Sequence, residues 1–204
     1  EDGFLKEEVD VLTLDHCAET TKWKSVAFIK IDAEGHESQV LAGAKRVLEA
    51  HSPLIMYEIA HRGNISGGLV SQFADLGYQT YRLIPGIGVL APVDDEVLSD
   101  VSVLNLFCCK PDRAAKLAAR GLLIEGIAST PDLPADAWIR YLESKAYYPA
   151  QRELIADFSV RSDIESASYR EAVGYYGLST SKDLTLDERY ACLLKSLSML
   201  KPIA

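Results

Sequence analysis

The chain has 204 residues, 48% of them hydrophobic and 25% charged, the balance of a globular protein with enough length for one good core and a small second one. Its formal net charge of -9 argues against an electrostatic grip on nucleic acid or on an anionic membrane surface. No apolar run approaches the roughly 20 residues that a membrane-spanning helix needs, and no cleavable signal pattern opens the chain. The first residues are Glu1-Asp2-Gly3 with no initiator Met, so the chain is expected to be a fragment or a processed piece. The four cysteines (Cys17, Cys108, Cys109 and Cys192) lack zinc-type spacing and read as buried free thiols of a protein in the reducing cytoplasm.

Residues 9–14 are short and β-prone, and Asp15 offers a cap for a brief helix over 15–22. The run 25–32 is apolar except for Lys30, the pattern of a strand buried on both faces. It ends on Asp32, and Gly35 supplies the sharp turn that follows. One helix is expected from about 36 to 50, because Val40, Leu41, Ala44, Val47 and Leu48 share a face. Pro53 precedes a second strand, 54–59, which carries Glu58 near its end. A polar, Gly-rich loop over 61–68 leads into a helix over 69–76 that Gly77 stops. Residues 78–84 and 101–109 read as strands, with the acidic stretch Asp94-Asp95-Glu96 between them as a solvated loop. Strand, helix, strand, helix, strand, strand predicts parallel βαβ units followed by an antiparallel pair.

After Pro111 the pattern becomes helix after helix: 112–120, 135–146, one opened by Pro149, and a last one bearing Tyr190, Leu193, Leu194, Leu197 and Leu200. Ser162 with Glu165, and Thr185 with Glu188, have capping-box spacing. The division expected is an α/β domain over 1–111 and an all-helical appendage over 112–204.

Several short motifs in this order carry a resemblance: Val11-Leu12-Thr13-Leu14-Asp15, then Phe28-Ile29-Lys30-Ile31-Asp32-Ala33-Glu34-Gly35-His36-Glu37, then Val40-Leu41-Ala42-Gly43-Ala44, Pro53, Glu58 and Asn105-Leu106-Phe107. Over about residues 9–110 the chain resembles the C-terminal half of FkbM-type methyltransferases. The resemblance implies a doubly wound, Rossmann-like class I fold that uses S-adenosylmethionine to methylate a hydroxyl of a sugar or natural product. It makes 25–32 the fourth strand, 54–59 the fifth, and 78–84 with 101–109 the closing antiparallel pair. The family's first three strands, with the Gly-rich turn at the cofactor and the acid that binds the ribose, have no counterpart in these residues. The chain is therefore expected to be a partial domain that binds the cofactor weakly or not at all unless the other half is supplied.

Ligands of open α/β sheets lie beyond the carboxyl ends of parallel strands. Asp32 is accordingly the first candidate, for catalysis and for holding the cofactor, and Glu34 the second; both could instead merely cap the next helix. Histidine is the side chain type suited to proton transfer near neutral pH, so His36 could act as general base, or lie idle on the surface. Glu58 faces the cleft or forms a structural pair with Lys30 on the adjacent strand. Glu37, His61 and Arg62 are candidates for substrate contact. No metal site is expected. The expected partners are the sugar or natural-product acceptor, and either a second copy of the chain or a neighbouring domain. The competing reading is a non-catalytic interaction module of a larger polysaccharide-modifying protein.

Overall fold

The structure is a computed structural model that describes residues 9–58, 60–61, 64–65, 67–93, 105–160 and 163–200. The described residues form a mixed α/β protein with a five-stranded sheet and a set of helices. They divide into two compact units, Glu1–Leu83 with Pro92–Arg120, and Ile84–Ala91 with Gly121–Ala204. Among the described residues no helix is long and apolar enough to cross a membrane.

In the first unit, α1 (Leu14–Thr21) leads to β1 (Phe28–Ile31), then α2 (Glu37–Ala42), α3 (Lys45–His51) and β2 (Leu54–Glu58). A two-stranded ribbon, β3 (Ala60–His61) and β4 (Asn64–Ile65), precedes α4 (Gly67–Asp75) and β5 (Gln79–Ile84). Strand β6 (Val89–Pro92) carries the chain into the second unit, and β7 (Asn105–Cys109) with α5 (Pro111–Ala118) returns to the first. The sheet order is β1-β2-β7-β5-β6. Strands β1 and β2 are parallel with Ile31 opposite Tyr57, and β7 runs antiparallel to both β2 and β5. The core beneath this sheet contains Ile31, Leu41, Leu48, Ile55, Tyr57, Phe73 and Leu106. Tyr78 closes it, its hydroxyl donating to the Leu48 carbonyl at 3.1 Å.

Four local expectations change. Residues 9–13 form no strand; Thr13 instead caps α1 by accepting from the His16 N–H at 3.1 Å. Strand β1 begins at Phe28 rather than at 25, because its partner starts after Pro53, which has no N–H to give; Leu54 N–H reaches back to Ala27 at 3.0 Å. Nor is β1 buried on both faces: among the described residues it lies at the sheet edge, with Phe28 51% exposed and Ile31 buried. The single helix over 36–50 is two helices broken at Gly43 and Ala44.

That break has a close neighbour outside the helix. A Cβ on Gly43 would lie 2.9 Å from Thr13 Cγ2, so a larger residue here would force Thr13 at the α1 entry to shift. Asp15, two residues on, does not cap its own helix. Its carboxylate accepts from the N–H groups of Arg46 and Val47 at 3.1 and 2.9 Å, at the start of α3, which has no side-chain cap of its own. Asp15→Ala is expected to destabilise the first unit by about 1–2 kcal/mol, read as a lower urea midpoint. An unchanged midpoint would mean that solvent serves those two amides equally well.

The second unit stacks α6 (Ala137–Glu143), α7 (Tyr148–Ser159), α8 (Ile164–Ser179) and α9 (Leu186–Leu200). Its core joins Ile84, Val89 and Ala91 to Ile124, Tyr190 and Leu193, and Leu90 bridges to Leu123. Helices α6 and α8 approach closely: a Cβ on Gly177 would lie 2.8 Å from Tyr141 Cβ. Helix α9 is tied to α8 by the buried Ser196 hydroxyl, which donates to the Ala172 carbonyl at 2.7 Å. The capping box of Thr185 and Glu188 is reciprocal, with Glu188 accepting from Thr185 N–H at 2.8 Å and returning its own N–H at 3.3 Å. At the start of α8 the cap is Asp163, which accepts from Ser166 N–H at 2.7 Å; Ser162 lies outside the described residues. Asp94, Asp95 and Glu96 lie outside them too.

Cysteines Cys108, Cys109 and Cys192 are buried, Cys17 is half-buried, and all four are free. Burial pushes the Cys109 thiol up to about 11, so it stays protonated and inert at neutral pH.

Candidate functional site

Strand β1 delivers its last side chains to the carboxyl edge of the parallel pair. Lys30 and Asp32 are two residues apart and so lie on the same side; their Nζ and Oδ2 atoms meet at 2.8 Å, both side chains being substantially exposed. The ammonium holds the Asp32 carboxyl below its ordinary range, first through this hydrogen bond and then through its charge. Asp32 in turn raises Lys30, and Glu58 adds a smaller contribution of the same sign. Lys30 thus bonds to Asp32 on its own strand, with Glu58 in the background of the pair. The direct partner of Lys30 is thus Asp32, its i,i+2 neighbour, while the Lys30–Glu58 pair given as an alternative survives only as the weaker charge interaction. Glu58 is half-buried at the end of β2, opposite Asn105 of β7.

Replacing Lys30 by Met should raise the Asp32 pKa towards the ordinary carboxylate value, as followed by carboxyl-carbon NMR. The sign follows from linkage. A carboxyl lowered in the folded state favours folding above its unfolded pKa, and that contribution fades as pH falls through the lowered value. In Lys30→Met the acid limb of stability near the carboxylate range should therefore flatten. An Asp32 titration that does not move would show that another group sets it.

Beyond Asp32 the chain leaves the strand direction. Glu34 takes a left-handed conformation with φ +50° and Gly35 follows at +96°. A non-glycine residue there costs about 1 kcal/mol or more, a cost that surrounding contacts must offset. Glu34 therefore does not continue the alternation of the strand. His36 stands at the cap position of α2 without a side-chain capping bond, and is exposed. Glu37 opens α2 half-buried, its Oε1 accepting from Ala33 N–H at 3.2 Å and Gly35 N–H at 3.1 Å.

A cavity of about 780 Å³ lies alongside β1. Leu14, Ile29, Ile31 and Val40 give it an apolar wall, Asp32, Lys30, His36 and Gln39 a polar one, and Val11 and Leu12 border it. Asp32 and His36 thus meet at one cavity; Glu34, Glu37 and Glu58 are not among its lining residues. His61 lies on the two-residue strand β3 directly after β2, opposite Asn64, and Arg62 lies outside the described residues. Among the described residues no group of three His, Cys, Asp or Glu side chains could hold a metal ion. Lys30 and Gln39 were not among the candidates read from the sequence. Lys30 could have been found there, because a lone cation in an apolar strand needs a partner and Asp32 stands two residues away.

Asp32 thus stands at the carboxyl end of a parallel strand, beside a cavity with one apolar and one polar wall, the edge at which open α/β sheets hold ligands. In the comparison with known families, residues 2–80 match the family model of the methyltransferase FkbM domain. The match contains α1, β1, the turn with Asp32 and Glu37, β2 and α4, and ends inside β5. The resemblance first seen in the motifs is thus shown over 2–80, and the helical tail follows it in the structure. No curated protein and no solved structure matches the chain.

Proposed function

We propose that the sheet unit is the C-terminal half of a class I, S-adenosylmethionine-dependent O-methyltransferase of the FkbM type, acting on a hydroxyl of a sugar or natural product. The observation that carries this reading is the position of Asp32, at the carboxyl end of β1 inside the matched span. The strand order supports it. Strands β1 and β2 are parallel neighbours, as the fourth and fifth strands of that fold should be, and β7 is antiparallel between β2 and β5, as its closing pair requires.

The residues around the cavity suit the cofactor. The wall of Leu14, Ile29, Ile31 and Val40 can shelter an aromatic ring, and the ionised Asp32 attracts a cation. When bound, S-adenosylmethionine supplies a methyl group on a sulfonium. The carboxylate of Asp32, lowered by Lys30, is a poor proton acceptor at neutral pH and a good fixed anion, so its part is to orient the cofactor or the acceptor hydroxyl. His36, exposed on the same cavity, is the side chain suited to take the hydroxyl proton as the methyl transfers.

Calorimetric titration with S-adenosylmethionine and S-adenosylhomocysteine tests the reading. Binding, by the chain alone or with the family's Gly-rich segment supplied in trans, supports it. No binding in either arrangement leaves the second reading, an interaction module of a larger polysaccharide-modifying protein. One observation favours that module: β1 pairs on one side only among the described residues, and beside it Val11 and Leu12 are 90% and 61% exposed. An open apolar edge invites pairing with another chain. Light scattering showing a dimer would support such pairing, and a monodisperse monomer would remove it.

A further inference from the structure

We infer that Glu37 is a positioning residue for this site: its carboxylate holds the turn between β1 and α2 in shape and does not itself meet the ligand. The inference rests on reading the end of β1 as the ligand edge. One oxygen, Glu37 Oε1, accepts from two backbone donors, Ala33 N–H at 3.2 Å and Gly35 N–H at 3.1 Å. These amides flank Glu34, whose left-handed φ of +50°, followed by +96° at Gly35, bends the backbone so that both N–H groups converge. Successive amides arranged in this way form a concavity that draws an anion. Here the anion is the chain's own, delivered from the first residue of α2.

The turn decides where the neighbouring side chains go. His36 N–H closes it by donating to the Ala33 carbonyl at 3.1 Å. Asp32 enters it, Glu34 forms its left-handed corner, and His36 leaves it towards the cavity. Glu37 is half-buried while those three are exposed. It therefore acts on the site through the backbone that carries them. A substrate-binding or proton-transferring role for Glu37 would need its charge or its ability to take a proton. The clasp needs only one sp² oxygen at that reach, which glutamine also has.

The difference can be tested on the full chain with Glu37→Gln and Glu37→Ala, reading amide hydrogen exchange by NMR and S-adenosylhomocysteine affinity by calorimetry. Glu37→Ala should speed exchange at Ala33 and Gly35 by ~10-fold or more and weaken the ligand by a similar factor. Glu37→Gln should restore both to within ~3-fold of the wild type. Two results would overturn the inference: wild-type amides at Ala33 and Gly35 already exchanging as in an unfolded chain, or Glu37→Gln weakening the ligand as much as Glu37→Ala while both amides stay protected. If the wild-type chain takes up no ligand, that failure belongs to the proposed function, and the exchange at the two amides decides the clasp alone. Should Glu37→Ala fail to fold, Glu37→Gln and the wild type still give the deciding comparison.

Discussion

Phe73→Ala is expected to destabilise the sheet unit by about 3–5 kcal/mol, the largest stability effect of any single change considered. Phe73 is fully buried on α4 and stands between two other rings, with centroids 4.6 Å away at Tyr57 and 5.9 Å away at Tyr78. Both pairs are tilted, a geometry that adds to the area term. Removing the middle ring leaves a cavity that strand β2 and the start of β5 can close only by moving. Tyr57→Phe is the control. It keeps the ring and removes only a hydroxyl whose bond to Thr80 is long, 3.4 Å, so it should cost about 1 kcal/mol or less. Urea unfolding followed by the NMR signals of β2 and β5 separates the two. A Phe73→Ala loss no larger than that of Tyr57→Phe would mean that the unit relaxes around the missing ring.

The largest effect on chemistry is expected at Asp32. In protein that binds S-adenosylmethionine, Asp32→Asn should lower methyl transfer by ~10²-fold or more. It should leave the urea midpoint nearly unchanged, because Asp32 is exposed and its ion pair with Lys30 lies on the surface. The amide keeps the shape and hydrogen-bonding reach of the carboxylate and removes only its charge. Transfer within ~3-fold of the wild type would exclude Asp32 as the fixed anion of the site. His36→Ala gives the complementary case: it should lower methyl transfer while binding persists.

The sequence carried some parts of this picture and hid others, for physical reasons. The end of β1 was legible because an apolar run closing on an acid and a glycine has few other readings. The reciprocal bonds of Thr185 and Glu188 were legible because both partners lie within one helical turn. The edge position of β1 was legible only through the family resemblance, which leaves its neighbouring first strand without a counterpart, since Phe28 and Ile29 look the same whether or not something covers them. The role of Asp15 was hidden because its acceptors, Arg46 and Val47, lie about thirty residues further on. The break at Gly43 was hidden for a similar reason: the close neighbour of Gly43 is Thr13, thirty residues earlier, and apolar periodicity continues across the break. Glu37 shows a subtler limit. An acid in the first turn of a helix suits the helix dipole, and nothing in the spacing says that it turns back to the preceding loop.

The sheet order also fixes the sequence of events as the chain folds. Strand β5 is synthesised before β7, yet it is joined to β2 only through β7, by Thr80 opposite Cys108 and Ile55 opposite Cys108 on the other side. The parallel pair β1 and β2, tied through α2 and α3, closes over a short stretch of chain; bringing β7 to β2 closes a loop of roughly fifty residues. Until that happens β2 presents a bare edge, and β5 has only β6 beside it. A nascent chain halted before residue 105 thus carries two unsatisfied strand edges, which is when association with other chains is most favoured. Docking of strand β7, which bridges the two halves of the sheet, is expected to be the slow step of assembly; a Cys108→Ala change that leaves the refolding rate unaltered would count against it.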